Sequence, residues 1–529
     1  MKHLTYFLII FSTCLIYSCD DYNQSETKSN QTSILEDSEI SFKEKVIYVL
    51  ENGLKKKLNI NQSQINNLYQ FYQDSTTRGF FVSDTGRTAV GKEFKGFMDN
   101  PLKFGICKSR LLSIPESSHW IEKEVIDVIN MCTVLGDLEY GYLDFDSSTF
   151  KPIHEVNFTS NSLDSMIQSN SYSIQNHFLQ KGPVDTNFRY LAKNIFEYCE
   201  KYPLDTNTYS LKSKKEDPVN FERNINKALQ TKGYLVDSSE RGIKKAILAF
   251  KKDCGYENST IITNAVLEAL SESTENKLIR AAISLDKWRQ GAKKEKKHIR
   301  VNLPSFKLYF VAEAKLQSEH RVIIGKYKTQ TPEFSAKIDR VVSYPYWKVP
   351  HSISDNEILP SVRRKKSYLA DNHYRIYKND VEVNPDSVDF TKFRKIFPFT
   401  TIQDPGKHNS LGILKIVFYN EHGVYVHDTP TKSLFKRDFR SFSHGCMRCE
   451  KPIELAKKIL DFDSISPRNR NEIDRDSLDL FIKNEEHRVI KLKKRIPIYI
   501  EYITVTSDEN QLYFHNDLYA REQKLIKLF

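Results

Sequence analysis

The sequence predicts a multidomain α+β protein, on the basis of three observations. The chain has 529 residues, which at roughly 150 residues per domain corresponds to about three or four units. Apolar residues recur every three or four positions up to about residue 271, as in helices. After residue 298 they alternate one by one, as in strands. We therefore expect a helical N-terminal scaffold domain at 39–215, a small three-helix domain at 216–275 and a mostly β domain at 298–475.

The first 19 residues predict export from the cytoplasm. An apolar run from Leu4 to Ile16 follows a lysine and is too short to span a bilayer comfortably. The run leads to Cys19 after a small residue, which resembles a lipoprotein signal whose cysteine is lipidated, although Tyr17 is bulkier than usual there. An ordinary cleaved signal peptide and an uncleaved anchor are the alternatives. We expect an exported, periplasmic, membrane-anchored lipoprotein with a polar linker at 20–38.

Charge and cysteine content argue against several classes of protein. The net charge is +11, from 79 basic and 68 acidic residues, but the two signs alternate along the chain, which does not indicate nucleic-acid binding. Beyond the signal segment the cysteines are too sparse for a disulfide scaffold. Cys446 and Cys449 form a C-x2-C pair without the further ligands of a zinc site, so we expect no metal and no cofactor. A redox pair between these two cysteines is an open alternative, and the role of Cys449 stays undecided.

Three short helices are predicted between residues 221 and 271. Apolar residues at helical spacing give the first two helices a buried face each, formed by Ile225, Ala228, Leu229, Ile243, Ala246, Ile247 and Phe250. Gly233 and Gly255 stand where these helices would end. The order of these features resembles the small peptidoglycan-binding domain found beside many cell-wall enzymes. The alternative is a three-helix packing module of another kind.

Strand-like segments dominate the remainder. Ile299, Val301 and Leu303 alternate with polar residues, and similar segments recur up to the chain end, where residues 476–529 are expected to contribute strands that complete the β domain. A polar and helical stretch at about 351–409 interrupts them. An insertion of this length in a compact sheet is more often a functional lid than a plain loop. We refer to it as the capping insertion.

A histidine and a cysteine in this domain suggest nucleophilic chemistry. Side chains alternate on a strand, so Tyr425 and His427 share one face of the strand GVYVHD. A neutral imidazole can take the proton of a thiol, and the thiolate is the reactive form of cysteine, which makes Cys446 the candidate nucleophile. Gly445 leaves room for a substrate beside the sulfur, and backbone amides at this turn can face an oxyanion. Pro452 suits the first turn of a bracing helix.

The combined motif is specific. His427, fifteen intervening residues, then Ser443, His444, Gly445, Cys446, an apolar residue and Arg448 resemble the signature of the L,D-transpeptidases with a YkuD-type catalytic domain. The segments NLPSFKLYF, YPYWKVPHSI, NSLGILKI and HDTPTKSLF stand in the order seen in the large group that joins a scaffold domain, a peptidoglycan-binding domain and a catalytic domain with a substrate-capping insertion.

The resemblance implies a mechanism. Cys446, deprotonated with the aid of His427, would attack a peptidoglycan tetrapeptide stem, expel the terminal D-alanine and pass the acyl group to a neighbouring stem, giving a 3-3 cross-link. Tyr425, Gly445 and the backbone around Cys446 would stabilise the oxyanion. Ser443, His444 and Arg448 would shape the site or hold a substrate carboxylate. Asp428 is not expected to complete a triad. The resemblance also implies acylation of the same sulfur by carbapenem β-lactams.

Three alternatives stay open at this point. Water in place of the acceptor amine would make an L,D-carboxypeptidase, which the sequence does not separate from a transpeptidase. A peptidoglycan-binding lipoprotein with an inert catalytic domain is less consistent with the intact motif. A papain-like protease is disfavoured because the histidine precedes the cysteine and the surroundings of the cysteine differ.

Overall fold

The computed structural model describes residues 35–73, 78–169, 173–291, 293–464 and 475–529. The expected signal peptide, Cys19 and most of the linker lie outside these ranges. No helix within the described ranges is long and apolar enough to cross a membrane.

The N-terminal part of the chain is helical, as predicted. Its helices are Phe42–Val49, Lys55–Lys57, Gln62–Phe71, Ala89–Asp99, Trp120–Tyr140, Ser160–Ile167, Ile174–Gln180 and Thr186–Lys201. A π turn, Leu50–Leu54, links the first two, and short strand pairs form at Val82–Ser83 with Gly86–Arg87 and at Leu143–Asp144 with Thr149–Phe150. Trp120–Tyr140 is buried on nearly every side, so it is the centre around which the other helices pack.

Three helices follow at Phe221–Thr231, Glu240–Asp253 and Asn264–Ser271, and they enclose a small core of their own. Gly233 and Gly255, just beyond the first two helices, have φ of 77° and 68°. This left-handed conformation suits glycine and ends both helices where the sequence predicts. The buried helix Thr274–Gln290 then leads to the β domain.

The described residues from 298 onward contain fifteen strands, which are labelled β1 to β15 in chain order. They are β1 His298–Asn302, β2 Lys307–Ala312, β3 Lys315–Gly325, β4 Phe334–Ser343, β5 Trp347–Lys348, β6 Tyr374–Lys378, β7 Val381–Val383, β8 Thr400–Gln403, β9 Leu414–Phe418, β10 Val426–His427, β11 Ser441–Ser443, β12 Met447–Cys449, β13 Arg488–Glu501, β14 Val505–Ser507 and β15 Leu512–Phe514.

The main sheet closes on itself. Its nine strands run in the order β11-β3-β12-β10-β9-β4-β13-β1-β2, and β2 also pairs with β3, so all strands except β11 form a closed barrel. Closure leaves no exposed edge among the barrel strands. The helix Pro452–Ser464, which begins at the predicted proline, adds Leu455, Ala456, Ile459 and Leu460 to the barrel core. The predicted α+β class is confirmed, with helices in the N-terminal part and a β-rich C-terminal part.

The C-terminal residues take part in the barrel. Strand β13 lies between β4 and β1, and β14 and β15 form a hairpin that packs on the helices Thr186–Lys201 and Thr274–Gln290. The helix Arg475–Lys483 packs on β4 and on the helix Pro452–Ser464, and the helix Gln523–Ile526 packs on Thr274–Gln290. The last helix contributes Leu525 to the N-terminal helical core, so the two ends of the described chain are packed together.

The capping insertion differs from its sequence prediction. Besides the helices His351–Ile353, Leu359–Arg364 and Tyr368–Asp371 it contains β6, β7 and β8, which form a four-stranded sheet with β5 in the order β7-β6-β8-β5. These strands are short and half-exposed, so their apolar alternation is weak in the sequence. The insertion has its own apolar core, and Tyr425 of the barrel packs against that core.

Candidate active site

The register of two parallel strands assembles the candidate site. Val426 of β10 pairs with Met447 of β12 and His427 pairs with Arg448, while the Met447 amide donates to the Tyr425 carbonyl at 3.0 Å. Directly paired residues on neighbouring strands point to the same face of the sheet, and so do residues two positions apart on one strand. The register therefore places Cys446 beside Tyr425 and Arg448 beside His427.

The sulfur of Cys446 is half-buried and lies 3.8 Å from the carbonyl oxygen of Gly423, the hydrogen-bond acceptor nearest to it. Burial raises the pKa of this thiol, and hydrogen-bonding groups of Tyr425 and the charge of Lys415 lower it in part. The group therefore rests as a thiol near neutral pH and needs a base to become the nucleophile.

The imidazole of His427 is buried, with 5% of its surface exposed, and its ring lies edge-on to the Tyr425 ring with centroids 5.6 Å apart. Burial, and then the positive charge of Arg448, lowers the pKa of His427 to about 3, so the ring is neutral at physiological pH. Its Nδ1 has no hydrogen-bond partner among the described residues. Within the same ranges no hydrogen bond joins His427 to Cys446, because the register puts them one residue pair apart.

The turn before the cysteine is held by Ser443, which is buried. The Ser443 hydroxyl donates to the Cys446 carbonyl at 2.5 Å and accepts from the Gly445 amide at 3.2 Å. Gly445 has φ of 117°, and a methyl group built on it would meet nothing closer than 3.8 Å, so its glycine is required by backbone conformation more than by crowding. The Gly445 amide is engaged in this way, whereas the amides of His444 and Cys446 donate no hydrogen bond in the described part of the chain.

His444 and Arg448 face the capping insertion. The His444 Nε2 lies 2.6 Å from the Oε1 of Glu357, which belongs to that insertion. Burial lowers the pKa of Arg448, and Glu357 opposes that shift. The Arg448 Nε is buried without a hydrogen-bond partner among the described residues. A buried guanidinium with an open donor is suited to an anionic group of a ligand.

The sequence did not single out three residues of this site: Lys415, Trp347 and Glu357. The ammonium of Lys415 lies 3.7 Å above the Tyr425 ring centroid, and Lys415 pairs with His427 across β9 and β10. Trp347, on β5, belongs to the apolar core against which Tyr425 packs, and its buried Nε1 has no hydrogen-bond partner among the described residues. In the sequence, Lys415 stands between the apolar residues Leu414 and Ile416. This alternation places its side chain on the opposite face of β9.

The side chains of Asp428 and Cys449 point away from this site and have other partners. Asp428 accepts from the Ile413 amide at 3.0 Å and pairs with Lys432, so it fixes a neighbouring loop. Cys449 is buried in the barrel core, and burial raises its pKa to about 12. Both Cys446 and Cys449 are free thiols. The described residues contain no group of three or more metal-ligating side chains.

Comparison with known proteins finds a family match for part of the chain. A model of the L,D-transpeptidase catalytic domain, YkuD, matches residues 296–468. A Haemophilus influenzae protein provisionally named an L,D-transpeptidase is 27% identical over 226 residues, which are 42% of this chain and 44% of that protein. The match thus spans less than half of the relative's own length.

Solved structures of L,D-transpeptidases align with parts of the chain. One from Xylanimonas cellulosilytica is 10% identical and covers 57% of this chain and 98% of its own, with a TM-score of 0.17. A variant of the Enterococcus faecium enzyme is 10% identical and covers 40% of this chain and 53% of its own, also with a TM-score of 0.17. Residues 296–468 of this chain, which contain both His427 and Cys446, are thus similar to the L,D-transpeptidase catalytic domain, YkuD.

Proposed function

We propose that the protein is a cysteine-dependent L,D-transpeptidase that forms 3-3 cross-links between peptidoglycan tetrapeptide stems. One observation carries the proposal: in a domain that matches the family, paired strands bring Cys446, Tyr425, His427 and Arg448 to one face, beside the capping insertion. The name of the Haemophilus influenzae relative agrees with it.

In the first half-reaction, the S–H bond of Cys446 breaks and its proton passes to the neutral ring of His427. The sulfur attacks the carbonyl carbon of the third stem residue. The bond to the terminal D-alanine then breaks, and the imidazolium returns the proton to the leaving amine. Burial and the charge of Arg448 lower the pKa of His427, so the ring is in its neutral, proton-accepting form before the reaction begins.

In the second half-reaction, the side-chain amine of a diamino acid on another stem attacks the thioester and the C–S bond breaks. One proton of the attacking amine passes through His427 to the released sulfur, which restores the Cys446 thiol. The Tyr425 hydroxyl and the free amide of Cys446 are the donors proposed for the oxyanion, and one such donor is worth roughly 3–4 kcal/mol in other enzymes. Ser443 and Gly445 shape this turn. Arg448, together with His444, is proposed to hold the donor carboxylate.

The decisive experiment is mass spectrometry of the products formed from disaccharide-tetrapeptides by the wild-type protein and by Cys446→Ala. We expect cross-linked dimers and free D-alanine from the wild type and neither product from the variant. Tripeptides without dimers would identify an L,D-carboxypeptidase, and no reaction would identify an inert binder. Dimers formed by Cys446→Ala would disprove the role of the cysteine.

The buried Cys449 provides a matched control, because it lies three residues further along the same segment. Cys449→Ala should keep the reaction if it folds. Incubation with a carbapenem should add one ligand mass to the peptide that contains Cys446. An adduct on another peptide would contradict the site.

We also propose that the protein is an exported, periplasmic lipoprotein anchored at Cys19, and that residues 216–275 bind peptidoglycan. The sequence patterns described above support both proposals. Metabolic labelling with a palmitate analogue should mark the wild type and not Cys19→Ser. A sacculus pull-down should retain Cys446→Ala and lose a variant without residues 216–275. Labelling of the Cys19→Ser variant or sacculus retention of the deletion variant would contradict the respective proposal.

A further inference from the structure

A lysine lies next to the candidate nucleophile without an anionic partner. Lys415 is half-buried on β9, and no carboxylate within the described residues pairs with it. An ammonium in this position is costly unless another group balances its charge. The face of the Tyr425 ring, 3.7 Å from the Lys415 nitrogen, is its closest described partner.

The geometry links this ammonium to the sulfur. Lys415 pairs with His427 across the sheet, and Arg448 pairs with His427 on the other side, so a row of three basic residues crosses the barrel. Tyr425 and Cys446 form the adjacent row. The Lys415 side chain extends from the first row over the Tyr425 ring in the second row. Its positive charge lowers the pKa of the Cys446 thiol.

The low basicity of His427 makes a second cation near the sulfur useful. Burial, Arg448 and Lys415 all disfavour the imidazolium, so the resting site does not hold a thiolate and imidazolium pair. Because this imidazolium is disfavoured, a second positive charge near the sulfur stabilises the thiolate while the S–H proton is on His427. Arg448 is beside His427 rather than beside the sulfur, which leaves Lys415 as the nearest candidate.

We propose that Lys415 is a positioning residue that stabilises the Cys446 thiolate by its positive charge, held across the face of Tyr425. The ammonium transfers no proton: the S–H proton passes to His427 and Lys415 balances the charge left on sulfur. The inference rests on the proposed role of Cys446 as the nucleophile. The charged and titratable groups that face this pair are Tyr425, His427 and Arg448, with Arg340 on β4 close to Lys415.

The test measures the thiol itself in the full-length protein. The rate of Cys446 alkylation by iodoacetamide is followed from pH 6 to 10 by mass spectrometry of its peptide. Lys415→Met keeps the length of the side chain and removes its charge. We expect the pKa of Cys446 to rise by about one unit, which slows alkylation near neutral pH about tenfold. Lys415→Arg should restore the wild-type titration, because it keeps the charge.

Lys337→Met is the matched control, since Lys337 lies on a barrel strand but is 60% exposed. It should titrate as the wild type does. Unchanged titration of Lys415→Met would overturn the inference, and so would an Arg variant that behaves like the Met variant. Alkylation of Cys446 does not depend on cross-linking, so the two proposals fail in different experiments. Unchanged titration of Lys415→Met overturns only the role of Lys415, whereas cross-linking by Cys446→Ala would overturn the proposed function.

Discussion

Two buried polar clusters, one in the N-terminal helices and one at the mouth of the barrel, differ in how far their hydrogen-bonding groups are satisfied. In the N-terminal cluster the carboxylate of Glu124 is fully buried and accepts hydrogen bonds from the Tyr72 hydroxyl and from the amides of Phe80, Phe81 and Val82, each at 2.8 Å. Burial raises the pKa of Glu124 to about 7, and these four bonds oppose the shift. Every partner of this group lies within the protein.

At the barrel mouth the opposite holds. The Nδ1 of His427 and the Nε of Arg448 are buried without partners among the described residues, and Lys415 has no carboxylate partner there. Buried polar groups normally find hydrogen bonds, so unsatisfied ones indicate a site prepared for a group that arrives from outside. The difference supports the proposal that the barrel mouth binds a substrate, whereas the Glu124 cluster stabilises the fold.

The largest effect is expected at Glu124. Glu124→Gln replaces one carboxylate oxygen with an NH2 group, which opposes the two donors that this oxygen accepts from, and we expect a loss of about 3 kcal/mol in the free energy of unfolding of the N-terminal region. Urea unfolding measures it. The control is Glu139→Gln, at an exposed pair with Lys181, where the loss should stay within about 0.5 kcal/mol. Equal losses of unfolding free energy in Glu124→Gln and Glu139→Gln would contradict the stabilising role of the buried Glu124 cluster.

A smaller effect on stability but a clear one on binding is expected at Arg448. Arg448→Met removes no ion pair of the described structure, so the free energy of unfolding should change by less than about 1 kcal/mol. The KM for a donor tetrapeptide should rise at least about tenfold, since a charge-assisted hydrogen bond is lost. Removal of the cation should also raise the pKa of His427 above its value of about 3, which NMR titration measures.

The control for Arg448 is Arg488→Met, which changes an exposed arginine on β13 that pairs with Glu486. It should leave the KM unchanged. A destabilised Arg448→Met with an unchanged KM would assign Arg448 to the fold rather than to the substrate.

The smallest effect is expected at Glu357, which pairs with His444 on the solvent side of the site. Glu357→Gln weakens one half-exposed ion pair, worth roughly 0.2–1 kcal/mol, so the KM should change only a few-fold. Hydrogen exchange in residues 351–364 should become faster. Glu382→Gln, elsewhere in the capping insertion, should change neither quantity, and a similar acceleration in that variant would argue against a specific contact.

Local patterns in the sequence were sufficient for much of the fold. The helix ends at Gly233 and Gly255 followed from the need for left-handed backbone after a helix, and the alternation at Ile299, Val301 and Leu303 followed from the two faces of a strand. The strands of the capping insertion were missed, because β7 is only three residues long and mostly exposed. Short exposed strands depend on their neighbours more than on their own residues.

The candidate site divides in the same way. Tyr425, His427 and the Cys446 motif were predictable because alternation and a compact motif lie within one stretch of chain. Lys415 and Glu357 were not, because each comes from a different segment and meets the site only through strand pairing or the packing of the capping insertion. The free donors of the turn were also decided by packing, since Ser443 engages the amide of Gly445 and leaves those of His444 and Cys446.

The sequence by itself determined the class of fold, the order of its helical and β regions and the identity of the nucleophile candidate, because periodicity and motif spacing are properties of neighbouring residues. Only the tertiary structure decided which charges surround that sulfur. Burial and strand register set the basicity of His427 and bring Lys415 over Tyr425, and both depend on segments that approach one another only when the barrel closes.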